Sequence, residues 1–479
     1  MFAITPMALP EARVSVSKIS TVVPAEPTAT HRMFLSNLDL LWLPVNNVQR
    51  LRFYKISWEN EFSSVVERLK ESLSLVLVYF YPLAGRLDKG ESGREEINCN
   101  DGGVEFIEAS INIPFDEVEK DKFQHKAFFE SLVRMAHPLH QQNYDTPLLS
   151  IQVTDFEGGG MCIGTTLHHV VADGNSFWHF MKSWAECCRG VPVSKLPEHR
   201  RTVFKRENKS PIPISFKAEE MVHDCIAGAK IFKFIPEELQ PEKREEISAE
   251  DAEKHEENLR KWVDHKGELV YSTFCFTEQM TRQLKQRIGA STSFVAVSAQ
   301  FWRCVIKAQE VPEEEPVKFV MFADCRSRVK PPLPPSYFGN CLYIGMAQTT
   351  AKELFGEEGL WFAAGVIQEL VNSCTAESQI NNMVDWLESM ESAANGLVPL
   401  VSEFTKHIAT NVVSSPRFPV YDIDYGWGRP LNVQAASMNE IGGMVLFSAR
   451  DVERSTVVST RLPRSQMDAL ARLLLVPED

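Results

Sequence analysis

Apolar residues recur at every fourth position between Phe62 and Leu77, at Val65, Leu69, Leu73 and Leu77. That period gathers them on one face and predicts an amphipathic helix. Val14–Val23 instead alternates apolar and polar positions, as a half-covered strand does. Met161–Leu167 is a run of small and apolar residues behind the turn Gly158-Gly159-Gly160, the pattern of a buried strand. After Asp173-Gly174 a helical period returns, with Phe177, Phe180/Met181 and Trp184 on one face. Short helices are expected over Phe128–Ala136 and Arg464–Leu475, a buried helix over Phe294–Lys307, and a strand over Gly442–Ala449. Strands and helices intermix without regular alternation, which predicts a mixed α/β fold.

Three stretches break the pattern. Pro192–Pro213 is rich in proline and basic residues and reads as an interdomain linker. Glu237–Trp262 is dense in Glu and Lys, as a solvated helix or exposed loop is. Val329–Pro335 is a proline-rich loop. A chain of 479 residues would hold about two or three domains.

Composition then removes several classes of function. The net charge of −14 opposes nucleic acid and anionic membranes. No run of roughly 18 apolar residues is present, so no membrane span is expected. Met1–Pro10 is apolar but lacks a basic n-region, and Glu11 follows it, so it does not read as a signal peptide. The ten cysteines are scattered without a Cys-x-x-Cys pair, which suits free thiols in the cytoplasm. The histidines are dispersed apart from His137/His140 and His168/His169, so no metal site is expected. Gly-x-Gly-x-x-Gly, Walker and Gly-x-Ser-x-Gly patterns are all missing.

Candidate chemistry concentrates in Thr166-Leu167-His168-His169-Val170-Val171-Ala172-Asp173-Gly174. A histidine takes a proton near neutral pH, and here it ends a buried strand that can hold it rigidly. Asp173, four residues on, could orient the imidazole or brace the loop, and Gly174 would permit a sharp turn into the helix. A second cluster, Asp424-Tyr425-Gly426-Trp427-Gly428-Arg429-Pro430, places two glycines around a tryptophan and predicts a tight loop.

These two segments resemble the His-x-x-x-Asp and Asp-Phe-Gly-Trp-Gly signatures of the plant BAHD acyltransferases, with Tyr425 in place of the usual Phe. Tyr81-Pro82-Leu83-Ala84-Gly85-Arg86-Leu87 and Asp324-Cys325-Arg326-Ser327-Arg328 agree with that family too. Within it, Asp39-Leu40-Leu41-Trp42-Leu43, Tyr337-Phe338-Gly339-Asn340-Cys341 and Ser415-Pro416-Arg417-Phe418 resemble the anthocyanin and flavonoid-glycoside acyl- and malonyltransferases. Leu35-Ser36-Asn37-Leu38-Asp39 is more similar to the hydroxycinnamoyltransferases.

The resemblance implies two similar-sized α/β domains, chloramphenicol-acetyltransferase-like, with an active-site channel between them. The first would span residues 1–205 and the second 206–479, with about 424–447 packing back on the first. It implies a monomeric cytoplasmic enzyme with no bound cofactor. Its co-substrate would be an acyl-CoA, malonyl or hydroxycinnamoyl, and its partner a small-molecule acceptor such as a phenolic glycoside. His169 would be the general base and His168 a packing residue. Asp173 would be structural and paired with Arg326, and Asp424 structural. Trp427, Gly426 and Gly428 would shape the channel. Ser415 stands where other branches carry an oxyanion-binding Trp, which leaves backbone amides or Asn340 for that task. The rival readings are a condensation-domain-like enzyme using carrier-bound thioesters, and a catalytically dead acyltransferase-like binding protein.

Overall fold

The computed structural model describes residues 11–43, 47–56, 61–134, 145–205, 222–226, 229–233, 267–290, 292–388, 408–437, 441–450 and 454–475. Two mixed sheets dominate it. The first has six strands in the order Val14–Val22, Val104–Pro114, Leu149–Glu157, Gly160–Leu167, Val48–Lys55 and Asn432–Ala435. The second has eight, in the order Leu269–Phe276, Thr456–Pro463, Met444–Ser448, Ile408–Val413, Pro316–Asp324, Leu342–Thr350, Ala229–Lys233 and Val222–Ile226. A small antiparallel sheet joins His31–Phe34, Glu95–Cys99 and Arg86–Lys89.

The helix predicted over Phe62–Leu77 has those bounds, and Val65, Leu69, Leu73 and Leu77 are all buried. Burying one such side chain contributes about 1.5–3 kcal/mol. The helix packs on Gly174–Cys188, whose Trp184 donates its indole N–H to the Leu69 carbonyl at 3.2 Å and Ser72 Oγ at 3.0 Å. Gly160–Leu167 is buried at every residue because strands cover both its edges and apolar clusters both its faces. The segment expected to be helical over Phe128–Ala136 is a short 3-10 helix, Ala127–Leu132. Its last expected residues, 135 and 136, lie outside the described residues. Ser293–Ala308 and Arg464–Leu475 are helices as expected, and the last strand expected is Met444–Ser448.

Two expectations change. The stretch 424–447 divides: Asn432–Ala435 pairs with Val48–Lys55 in the first sheet, whereas Met444–Ser448 pairs within the second. The upper bound of 447 therefore runs past the point where the chain changes sheets. Pro192–Pro213 is not a free linker over its described part. Arg201–Phe204 is a 3-10 turn with Arg201 and Phe204 buried, and Glu198 bridges to Tyr337. Residues 206–213 of that stretch, and all of Glu237–Trp262, lie outside the described residues. No described helix is long and apolar enough to cross a membrane.

Candidate active site

The buried strand Gly160–Leu167 delivers the chain into the turn His168–Ala172, and Asp173 then caps the helix Gly174–Cys188. Asp173 Oδ1 accepts the Ser176 backbone N–H at 3.0 Å, as an N-cap carboxylate does. Gly174 owes its identity to contact rather than to a special dihedral. A Cβ there would lie 2.8 Å from the Phe418 ring.

Arg326 meets Asp173 in a two-pronged pair, Nη2 to Oδ1 at 2.9 Å and Nη1 to Oδ2 at 2.8 Å. The Cys341 backbone N–H adds a second donor to Oδ2 at 3.0 Å. Both side chains are buried. Burial alone would raise the Asp173 pKa, but Arg326 and the backbone donors hold it below the ordinary carboxylate value. Arg326 is itself held by Asp324, the Ser176 hydroxyl and the carbonyls of Tyr337 and Gly339. The Asp173 carboxylate therefore spends its acceptor positions on this clasp, and His169 receives none of them.

His169 is half-buried, and its ring stacks on Trp42 with centroids 4.1 Å apart and planes 12° from parallel. Phe322 backs Trp42 edge-on at 5.2 Å. The backbone of the turn is held by a second ion pair. Arg201 Nη1 meets Asp39 Oδ1 at 2.9 Å, with both side chains fully buried. Asp39 in turn accepts the Asn340 backbone N–H at 2.9 Å and its side-chain amide at 3.1 Å. Asn340 Nδ2 donates to the carbonyls of His169 at 3.0 Å and Val170 at 3.1 Å, and Arg201 Nη2 to that of Val171 at 2.6 Å. Three successive carbonyls are thus clamped. His168 is turned into its own loop, its Nδ1 accepting the Val170 N–H at 3.3 Å.

Burial is the largest influence on both imidazoles and pushes each pKa down to about 4. His169 is consequently a neutral base throughout the physiological range. Its Nδ1 is buried without a hydrogen-bond partner among the described residues.

The second cluster lies elsewhere. Asp424 Oδ1 closes the loop on the N–H groups of Gly426 at 2.7 Å and Gly428 at 3.0 Å. Both glycines have positive φ, +110° and +104°, which side chains with a Cβ rarely adopt. Tyr425 is fully buried against Trp184 at 4.9 Å, Trp427 at 5.6 Å and Tyr54 at 5.9 Å. Arg68 donates to the Tyr425 carbonyl at 3.2 Å and lies over the Trp427 ring at 5.6 Å. Arg189, which ends the helix that Asp173 begins, hydrogen-bonds the Asp424 carbonyl. That helix has 15 residues, so the loop stands ~22 Å from Asp173 along its axis. Trp427, Gly426 and Gly428 were expected to shape the channel and the domain contact without touching the reacting atoms, and their contacts here are with Asp424, Tyr425, Tyr54 and Arg68. They lock the far end of the helix. Tyr425, in place of the usual Phe, has its Oη buried without a partner among the described residues.

Trp42, Asp39 and Arg201 were missed as site residues by sequence reasoning. Asp39 and Trp42 sit in the quoted stretch Asp39–Leu43, but nothing in an apolar run distinguishes a tryptophan facing the site from one in the core. No group of three or more His, Cys, Asp or Glu suited to a metal occurs among the described residues.

Comparison with known proteins follows the same line. The model of the Transferase family matches residues 12–472. A hydroxycinnamoyltransferase of Narcissus pseudonarcissus is 29% identical, covering 96% of this chain and 99% of the relative. Phenolic glucoside malonyltransferase 1 of Arabidopsis thaliana is 28% identical over 97% of each chain. Among solved structures, vinorine synthase matches with a TM-score of 0.69 at 22% identity, covering 98% of this chain and 99% of that one. F. graminearum TRI101 complexed with ethyl coenzyme A matches with a TM-score of 0.69 at 14% identity, covering 93% and 97%. These likenesses establish the two-domain mixed α/β fold.

Proposed function

Since the chain belongs to the Transferase family, that of the plant BAHD acyltransferases, we propose that this acyltransferase moves an acyl group from a CoA thioester directly to an acceptor hydroxyl or amine, with His169 as general base. The observation that carries the reading is the neutral, Trp42-stacked imidazole of His169, held at a clamped turn while its neighbouring carboxylate is engaged elsewhere.

In this reading His169 takes the acceptor proton as the acceptor oxygen or nitrogen attacks the thioester carbonyl carbon. The tetrahedral intermediate then expels the CoA thiolate, which receives the proton from the imidazolium. Such general acid–base help contributes on the order of 10²–10⁴ in rate. The Trp42 face stabilises the transient imidazolium through a cation–π contact. Residues 1–205 and 206–479 would form the two domains, with the thioester and the acceptor entering from opposite sides. The hydroxycinnamoyl and malonyl groups named in the relatives are the favoured acyl groups.

The test compares His169→Ala with His168→Ala, following thiol release from a panel of acyl-CoAs with pooled acceptors. The first variant is expected to lose turnover at unchanged melting temperature, and the second to retain it. An active His169→Ala protein would refute the assignment. A wild-type protein that turns over only carrier-bound thioesters would establish the condensation-domain-like alternative.

A further inference from the structure

Two arginines of the first sheet belong neither to the clasp nor to the carbonyl clamp. Along Val48–Lys55, Leu51 and Phe53 turn to one face and join an apolar cluster with Phe115 and Phe129. The two-residue period sends Arg50 and Arg52 to the other face. Their register partners on the histidine-bearing strand are Thr165 and Ile163. Thr165 is four residues before His169, a separation of ~13 Å along an extended chain.

Arg50 projects from its sheet toward the other one. Its guanidinium carbon lies 5.8 Å from the ring centroid of Phe447, which belongs to the strand Met444–Ser448 of the second sheet. The cation therefore stands in the space between the two sheets. Among the described residues the one hydrogen bond of its side chain goes to the carbonyl of its own neighbour Gln49, from Nη1 at 2.9 Å. A guanidinium carries five N–H donors, and no described carboxylate lies within ion-pair distance of this one. Arg52, fully buried behind it, donates from Nη2 to Thr165 Oγ1 and the Ile163 carbonyl, while its Nε and Nη1 are buried without partners among the described residues.

Arg201 and Arg326 show what this fold does with a buried guanidinium that it uses structurally: each meets a carboxylate, Asp39 or Asp173. Among the described residues Arg50 and Arg52 have no such partner. Burial, with Arg52 second, lowers the Arg50 pKa to about 10, and the Arg50 charge is among those that depress His169. An uncompensated cation in such surroundings costs free energy that an arriving anion would offset.

We propose that Arg50 receives a carboxylate of the substrate in the space between the two sheets, backed by Arg52, so that the enzyme acts on an acidic partner. This rests on the acyl-transfer reading above and names its substrate class. The arginine fork can hold a carboxylate through two parallel hydrogen bonds. The carboxylate has two possible sources: the distal acid of a short dicarboxylic acyl group on the thioester, or the acid group of the acceptor.

The experiment has one arm for each source. The donor arm compares malonyl-CoA with acetyl-CoA on a common neutral acceptor. The acceptor arm compares phenolic hydroxy acids with their methyl esters, using coumaroyl-CoA. In one arm the wild type is expected to prefer the acidic member, and Arg50→Gln to lower the acidic-to-neutral ratio of kcat/KM by about 100-fold, the scale of truncating one partner of a buried charge pair. Arg50→Lys should restore part of the ratio. The arm that responds identifies the source. Equal loss on both members in both arms, or preference for the neutral member in both, overturns the proposal while leaving acyl transfer intact. Calorimetric titration of malonyl-CoA against acetyl-CoA, and of each acid against its ester, reads Arg50 without chemistry. Absence of turnover with every donor would thus count against acyl transfer, and these titrations would still decide the carboxylate site.

Discussion

The two ends of the helix Gly174–Cys188 are both tied down around an aspartate, and they are built differently. At its start Asp173 is fully buried, and its charge is met by Arg326 from 153 positions away. At its end Asp424 is half-exposed and closes only its own loop, on Gly426 and Gly428. Water can solvate Asp424 if those bonds break. Nothing can solvate Asp173 if Arg326 leaves. The same side chain is thus an electrostatic commitment between distant parts of the chain at one end, and a local turn at the other. Both motifs are equally visible in the sequence, and only one of them adjoins His169.

Exchanging the carboxylates tests that contrast most strongly. Asp173→Asn should destabilise the protein by about 3–5 kcal/mol, because Arg326 keeps its burial and loses its buried counter-charge, with only the half-exposed Asp324 left to it. Asp424→Asn keeps an Oδ1 acceptor for both N–H groups and should cost no more than about 1 kcal/mol, the scale of losing charge assistance in exposed hydrogen bonds. Denaturation midpoints with parallel activity assays read both, and activity should fall with stability in the first. Equal destabilisation of the two variants would erase the distinction drawn between the ends.

A change confined to the His169 end separates chemistry from scaffold. Burial holds the His169 pKa near 4, so the basic form persists at every pH above it, and the acidic limb of kcat/KM should lie near pH 4–5. Trp42→Ala opens the ring to water. It should lower activity about tenfold, from the scale of a cation–π contact, and move that limb upward toward the ordinary histidine value of about 6.5. A limb that stays in place would mean that Trp42 does not govern the imidazole. The sign for stability follows from the same depressed pKa. The unfolded chain protonates at higher pH than the native one, so this contribution is present above about pH 6.5 and is lost as pH falls toward 4.

The smallest expected effect is at the other end, and it is a gain. Tyr425→Phe removes a buried hydroxyl that has no partner among the described residues. It should stabilise the fold by about 1 kcal/mol or slightly more, the cost of an unmet buried polar group. Thermal melting of the variant reads it, and a lower melting temperature would show that Oη has a partner.

Local order was legible wherever one period governed a segment. Phe62–Leu77 reads as a helix because its buried face is built from residues four apart. The strand, turn and helix around His169 read correctly because the run of small residues, the Asp-Gly step and the aromatic period follow one another. The Asp173–Arg326 pair came from resemblance alone, as no local pattern joins positions so far apart. Asn340 was named as a donor for the oxyanion, whereas its amide holds the His169 carbonyl, 171 positions away in sequence. Arg201 was hidden in a basic stretch whose composition resembles a linker. The bound at 447 failed because Asn432–Ala435 pairs in the first sheet and Met444–Ser448 in the second, and hydropathy does not record which sheet a strand joins.

The clamp on the histidine turn also has an order in time. A chain made from its N-terminus exposes Asp39, His169, Asp173 and Arg201 long before Arg326 and Asn340 leave the ribosome. Until then the Asp173 carboxylate and the carbonyls of His169 and Val170 lack the donors that later hold them. The early half carries five of the six strands of its sheet, yet its histidine turn waits for the late half to supply these donors. Competence therefore arrives at a late step of biosynthesis, and a truncated chain ending before residue 326 would keep its histidine and have no site.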